Sequence, residues 1–366
     1  MRIAFVYDVI YPWVKGGVEK RIHELAVRLA RRHEVHVYGY KLWDGPEVIE
    51  REGIFYHGTV KLKSLYAGGR RSILPPLLHS LKLLRAMKRE RFDVIDCQAA
   101  PYFPAYSLKI LNKENVFITW HEFWGDYWEE YLGFLGNFGK IIEKGLIALA
   151  DKHVAVSVKT KLDLYKAGLR SDVPVVPNGI DYERIKSIKP AEEKSDVIFV
   201  GRLIKEKNVD LLLHSMKILK TEIPDLKIII IGDGPERARL EMLSKSLGLS
   251  GNVRFLGFLE RYEDVIAHMK ASKVFAFPST REGFGIVVLE ANASGLPVIT
   301  VDHRMNASKY LIVPGKNGLV VNLDPWDFAK GILRALWGNV GSASKKIAAK
   351  YSWDRIVRLW EAVFLS

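Results

Sequence analysis

The sequence predicts an α/β fold built from two doubly wound parallel-sheet domains. Three observations carry this. Short apolar runs of strand length alternate with amphipathic stretches along the chain, several of these runs end in glycine-containing turns, and the alternation breaks near residues 173–181 before it restarts. At 366 residues the chain exceeds the usual single-domain range, so two domains are the first expectation.

Residues 2–7, RIAFVY, read as a short buried strand. A turn holding Lys15, Gly16, Gly17, Val18 and Glu19 follows, then a helical stretch to about residue 30. Glycine lets backbone approach a ligand closely, and a helix start offers N–H groups without intrahelical partners, so Gly16 and Gly17 are candidate ligand contacts. The spacing is neither the dinucleotide G-x-G-x-x-G nor the G-x4-G-K-S/T of a P-loop, and a plain tight loop is the other reading. Further strands fall at 35–38, 54–56, 94–97, 116–119 and 154–157, with helical patterns between most of them. Such sheets bind ligands beyond the carboxyl ends of their strands. His121 lies just past the strand ending at Thr119, and Ser157 closes the strand 154–157. Set among Trp120, Phe123, Trp124 and Trp128, His121 reads either as an aromatic core residue or as a ligand contact at a strand end.

Two prolines and an Asn-Gly pair interrupt the pattern in VPVVPNGID, which places the interdomain boundary at residues 176/177. The second half opens with a strand at 197–200, then Gly201, Arg202, Leu203, Ile204, Lys205, Glu206 and Lys207, then a helix to about residue 220. Arg202 and Lys207 stand five apart across a turn, where a guanidinium fork and an ammonium point charge can converge on phosphate oxygens; a solvated charge run is the alternative. The strands 226–231 and 253–255 end in Gly232-Asp233-Gly234-Pro235 and in Gly257-Phe258.

The run 274–277 ends at Pro278 and Ser279, and a turn of Glu282, Gly283, Phe284 and Gly285 leads through Ile286 into a helix expected from about Gly285 to Ser294. Gly295 stops that helix, and the next extended run is 298–301. The helix start suits an anion, most simply a diphosphate. Glu282 and Glu290 bracket it, with Glu290 about 7 to 8 Å along the axis from Gly285 at about 1.5 Å per residue. Glu290 sits among apolar residues, so something polar should meet it; a basic residue of its own domain is the plainer reading.

This E-x7-E spacing with an aromatic-glycine pair, together with G-R-L-x-K-E-K, G-D-G-P and N-G-I-D, resembles the glycosyltransferase family 4 enzymes, which have the GT-B fold. The resemblance covers nearly the whole chain. It implies a retaining glycosyltransferase of hexosyl type that moves a sugar from a UDP- or GDP-sugar to a glycan or polyprenyl-linked acceptor. Under it Glu282 meets donor-sugar hydroxyls, Glu290 the ribose, Arg202 and Lys207 the diphosphate with Gly201, and backbone around Phe258 and Leu259 the base. His121 then lies near the donor sugar, and the last helix, opening at YSWD, returns to the first domain. The domains become 1–176 with 352–366, and 177–351. No D-x-D occurs, so no metal or other cofactor is expected, and no carboxylate is placed as a nucleophile, so the implied step is a same-face displacement within an ion pair. One departure is the segment DHRMNASKY at 302–310, where many relatives have a glycine-rich turn.

A GT-B nucleotide-sugar epimerase and a non-catalytic nucleotide-sugar sensor are the rival functions. The net charge of +13 divides evenly, with 27 basic against 20 acidic residues in 1–177 and 28 against 22 in 178–366. Without a nucleic-acid motif this points to an anionic ligand or membrane face and not to nucleic acid. Residues 61–91 hold Lys61, Lys63, Arg70, Arg71, Lys82, Arg85, Lys88, Arg89 and Arg91 against Glu90, with Leu77, Leu81 and Leu84 on another face of a helix from Leu77. That pattern suggests peripheral docking on an anionic membrane. The single Cys97 excludes an intramolecular disulfide and suggests a cytoplasmic setting, and no apolar run is long enough to span a bilayer. One glutamine, Gln98, in the whole chain fits a heat-adapted source.

Overall fold

The computed structural model describes residues 1–62, 66–67, 70–71 and 74–365. The chain divides into two compact units, Met1–Pro177 with Trp353–Ser366, and Asn178–Ser352.

The first unit holds β1 (Arg2–Val6), β2 (Glu34–Lys41), β3 (Val48–Arg51), β4 (Ile54–Lys61), the short pair β5 (Tyr66–Ala67) and β6 (Arg70–Arg71), β7 (Val94–Gln98), β8 (Val116–Trp120) and β9 (Lys152–Ala155). Its main sheet runs β3-β4-β2-β1-β7-β8-β9 and is parallel except for β3 against β4. Strand β3 had no sequence signal because it is an edge strand of sequence VIER with no buried residue to impose an alternation. Both faces of this sheet are covered. One carries Ile22, Leu25 and Leu29 from the helix Gly17–Leu29, with Trp353, Ile356, Trp360 and Phe364 from the helix Trp353–Phe364. The other carries Leu83 and Met87, Leu108, and Leu146 from three further helices. Trp360 is wholly buried 5.6 Å from the Phe5 ring and stacks on Phe364 at 4.4 Å. The chain's last helix is thus part of the first unit's core, where one such aromatic contributes about 2 to 3 kcal/mol by burial.

The second unit holds β10 (Ser195–Val200), β11 (Ile228–Ile231), β12 (Val253–Gly257), β13 (Ser272–Phe277), β14 (Val298–Val301) and β15 (Gly318–Val321) in the all-parallel order β12-β11-β10-β13-β14-β15. Strand β11 is four buried isoleucines, the run expected of a strand covered on both faces. The chain winds outward one way from β10 and the other way from β13, so the carboxyl ends of these two neighbours form the switch point where open α/β sheets bind ligands. In the first unit the corresponding place lies between β1 and β7.

The basic stretch departs from expectation. Its helix is Leu74–Met87, so Lys88 and Arg89 lie past its end and Arg89 does not share a helical face with Lys82 and Arg85. Leu77 and Leu81 are exposed, as are Leu74 and Leu78, whereas Leu84 is half-buried. Lys63 lies outside the described residues, as do the side chains of Arg70 and Arg71. Among the described residues no helix is long and apolar enough to cross a membrane.

Candidate functional site

At the switch point of the second unit, the turn after β10 and the turn after β13 are tied together. Lys205–Lys207 form a single tight turn closed by Asn208, which adopts a left-handed φ of 47°. The Asn208 amide donates to the carbonyl of Pro278 at 3.1 Å and to Thr280 Oγ1 at 3.0 Å, and the Thr280 N–H donates to the Glu206 carbonyl at 2.9 Å. This clasp brings Lys207 against Glu282: the two form an ion pair in which each side chain is mostly buried. The Lys207 ammonium also lies 5.1 Å from the centre of the Phe277 ring. Arg202 is exposed at the end of β10.

The 302–310 segment holds Glu282 from the other side. The Glu282 N–H donates to the Met305 carbonyl and its own carbonyl accepts from the Ala307 N–H, both at 3.0 Å. Asn306, wholly buried, fixes that segment through bonds to Thr300 Oγ1 and the Val301 carbonyl. The 302–310 segment therefore supplies a backbone brace for Glu282.

Gly285 is the cap before the helix Ile286–Ser294, one residue later than expected, with φ of 93°. A side chain there is excluded, since a Cβ would lie 2.6 Å from Ser308 Cβ. The half-buried Gly283 precedes it. Phe284 is buried with its ring 6.4 Å from Tyr351, so only its backbone can serve a ligand. Glu290 receives a hydrogen bond from the Tyr262 hydroxyl at 2.9 Å. Burial and the Glu290 charge push the Tyr262 phenol well above its usual range, so it donates at any working pH.

Beside this lies a cleft of about 450 Å³ at the carboxyl ends of β10, β11 and β12, lined in part by Gly201, Arg202, Gly232, Phe258 and Leu259. Phe258 is 74% exposed, an aromatic face free to stack. The turn geometry again requires glycine, for a Cβ on Gly232, φ 133°, would sit 1.9 Å from the Gly201 carbonyl oxygen.

In the first unit His121 is half-buried after β8, and its Nε2 lies 2.7 Å from Gln98 Oε1. Desolvation pushes its pKa down to about 3, with the Arg21 charge acting the same way, so the ring is neutral. Gln98 in turn donates to Asp96 Oδ1 at 2.8 Å, and Asp96 also accepts from Thr119 and from Trp360. The aromatic residues nearby pack on one another, with Trp124 and Trp128 rings 4.7 Å apart. Glu143, wholly buried, accepts from the N–H groups of Trp124 and Gly125 and from the Tyr102 hydroxyl, holding the loop after His121. Ser157 is a helix cap, accepting from the Thr160 N–H.

Gly16 caps the helix Gly17–Leu29, but the Glu19 carboxylate already lies over it, 2.6 Å from where a Cβ of Gly16 would stand. That contact accounts for glycine at position 16, whereas a Cβ on Gly17 would meet nothing within 4 Å. Among the described residues no cluster of three or more His, Cys, Asp or Glu side chains is placed to hold a metal ion.

Two parallel-sheet units, each with its candidate ligand groups at strand carboxyl ends, define the GT-B architecture. The whole chain superposes on Anabaena HepE, solved in complex with UDP and glucose, with a TM-score of 0.74 and 21% identity, covering 100% of this chain and 99% of that one. Two family models cover the sequence, Glycosyltransferase Family 4 over residues 15–184 and Glycosyl transferases group 1 over residues 181–351. The chain belongs to this glycosyltransferase family.

Among its relatives, a glycosyltransferase of Methanocaldococcus jannaschii is 36% identical over 47% of this chain and 45% of that protein. One component of the Homo sapiens phosphatidylinositol N-acetylglucosaminyltransferase is 30% identical over 81% of this chain and 61% of the human one. The chain thus spans less than two thirds of the length of either.

Proposed function

We propose that this glycosyltransferase is a metal-independent, retaining hexosyltransferase that takes a UDP- or GDP-sugar as donor and a glycan or polyprenyl-linked lipid as acceptor. The observation that carries the reading is the Lys207–Glu282 pair at the β10/β13 switch point, beside the start of the helix Ile286–Ser294. A cation for phosphate and an anion for hydroxyls stand side by side, the order met along a donor on either side of the bond to be broken. Binding would part them, Lys207 to the diphosphate with Arg202 and the N–H groups of Gly285 and Ile286, Glu282 to the sugar. Glu290, held by Tyr262, takes the ribose, and Phe258 with Leu259 takes the base in the cleft. His121 meets a sugar hydroxyl.

In the reaction the anomeric carbon–oxygen bond breaks with its electron pair leaving on the diphosphate, whose charge Lys207, Arg202 and the helix start stabilise. The acceptor hydroxyl bonds to the same face and its proton passes to the departing phosphate oxygen. HepE, with UDP and glucose bound, and the human relative, named for transfer to phosphatidylinositol, support a nucleotide-sugar donor and a lipid acceptor. The exposed leucines beside Lys82 and Arg85 support work on a cytoplasmic membrane face. Thermal-shift screening against nucleotide sugars tests the donor: at 100 Kd the stabilisation is about 2.7 kcal/mol, and no shift with any UDP- or GDP-sugar would overturn the reading.

A further inference from the structure

The Asp96–Gln98–His121 chain decides which nitrogen of His121 carries its proton. Asp96 Oδ2 accepts from Trp360 Nε1 at 3.0 Å, and its Oδ1 is 2.6 Å from the Thr119 hydroxyl and 2.8 Å from Gln98 Nε2. An indole N–H can only donate, and an ionised carboxylate can only accept. Burial raises the Asp96 carboxyl, with the bonds from Thr119, Trp360 and Gln98 and the Arg21 charge acting the other way; the Asp96 backbone carbonyl, which only accepts in any protonation state, also faces Gln98 Nε2 at 3.4 Å. The Gln98 amide must therefore turn its NH2 toward Asp96, which leaves Oε1 facing His121 Nε2 at 2.7 Å. An amide oxygen only accepts, so Nε2 is the protonated nitrogen and Nδ1 is the ring's acceptor.

We propose that Gln98 is a positioning residue that locks His121 as the Nε2–H tautomer, so that Nδ1 accepts a hydrogen bond from a hydroxyl of the transferred sugar. The proposal rests on the donor-site role of His121 given above. A neutral ring with a fixed acceptor at Nδ1 takes the hydroxyl as donor, whereas the opposite tautomer would make the same hydroxyl accept from an N–H and so redirect its own hydrogen. It also explains a strong local requirement: the one glutamine of the chain stands where a carboxylate would repel Asp96 and where an aliphatic side chain would leave both Asp96 and His121 short of a partner.

The test is nitrogen-15 NMR of the full chain with labelled histidine, using His121→Asn to identify the signal. The expected wild-type spectrum has a protonated Nε2 and an unprotonated Nδ1, unchanged from pH 5 to pH 8. Gln98→Met should mix the tautomers and lower kcat/KM for the donor about tenfold, the scale of one neutral hydrogen bond, with bare nucleoside-diphosphate affinity unchanged. An Nδ1–H ring or a charged ring in the wild type overturns the lock, and this needs no variant to fold. Tautomers that mix in Gln98→Met while turnover stays the same would instead overturn the donor-site role of His121, and the proposal with it.

Discussion

The Asn208 side chain donates to the carbonyl of Pro278 at 3.1 Å, across the gap between the turn after β10 and the turn after β13. It also reaches Thr280 Oγ1 and the Glu206 carbonyl, so one amide sets how Lys207 meets Glu282. Asn208→Gly keeps the left-handed backbone and removes the clasp. The three contacts share the two N–H groups of one amide, so with two hydrogen bonds lost at about 0.5 to 1.5 kcal/mol each it should destabilise the protein by roughly 1 to 3 kcal/mol and lower kcat more than it raises KM. Denaturant titration set beside initial rates checks this; unchanged kcat would show that the clasp serves the fold alone.

The two glutamates should separate by what each touches. Glu290→Gln should weaken the bare nucleoside diphosphate as much as the full donor, because both contain the ribose. Glu282→Gln should leave diphosphate affinity nearly unchanged and lower turnover, since contacts that tighten in the transition state appear in the rate. A hydrogen bond to a charged group is worth roughly 1.5 to 3 kcal/mol, about 10-fold to 150-fold. Tyr262→Phe should follow Glu290→Gln in kind but more weakly, because it frees the carboxylate that Glu290→Gln neutralises. Calorimetry with the diphosphate alone resolves the three variants, and equal losses in Glu282→Gln and Glu290→Gln would mean that both acids support the turn.

Acid should weaken the first unit through three histidines whose ionisation desolvation opposes. Burial pushes His79 down to about 3, His57 down to about 4 and His121 down to about 3, whereas unfolded histidine titrates near 6.5. A base with a depressed folded pKa contributes stability that is full above 6.5 and lost as pH falls toward the folded value. Asp96 and Glu143, raised by burial, act with the opposite sign at lower pH. Between pH 7 and pH 5 each such histidine should cost roughly 2 kcal/mol. His79 is the cleanest to remove, being wholly buried on the inner face of its helix with Nδ1 against the Thr59 hydroxyl. His79→Leu should shrink the pH 7 to pH 5 stability difference by about that amount; an unchanged difference would show that His79 titrates normally.

Local signals placed much of this site. Gly285 and Gly295 both take positive φ at the ends of one helix, so the strand, turn and helix around Glu282 were readable from the apolar run 274–277 and the glycines that follow it. Tertiary partners were not readable. Asn208 lies about 70 residues from Pro278 and Tyr262 lies 28 from Glu290, and nothing in the local sequence marks either side chain as a brace. Gln98 stood out by rarity, which the sequence offered only as a sign of habitat. At Gly16 the sequence offered a second reading as well: Glu19 stands three residues past the cap, and its carboxylate lies over the place a Cβ of Gly16 would take.

Membrane docking gives the last expectation. Leu74, Leu77, Leu78 and Leu81 follow i, i+3, i+4, i+7 spacing on the helix Leu74–Met87 and are 41 to 60% exposed. An exposed leucine stripe costs solubility and brings no core contact, and the inner face of the same helix is already occupied by Leu83 and Met87. Lys82 and Arg85 flank it, the arrangement that lies in a bilayer interface with its cations among anionic headgroups. Each cation near such a surface adds about 1 kcal/mol, which salt screens, whereas the leucine contribution persists in salt. Lys82→Glu with Arg85→Glu should therefore abolish the salt-sensitive part of cosedimentation with phosphatidylserine vesicles. Leu77→Ser with Leu81→Ser should remove the part that survives high salt, and both pairs should leave turnover on a soluble acceptor unchanged. Wild-type protein that stays in the supernatant at low salt would end the membrane reading.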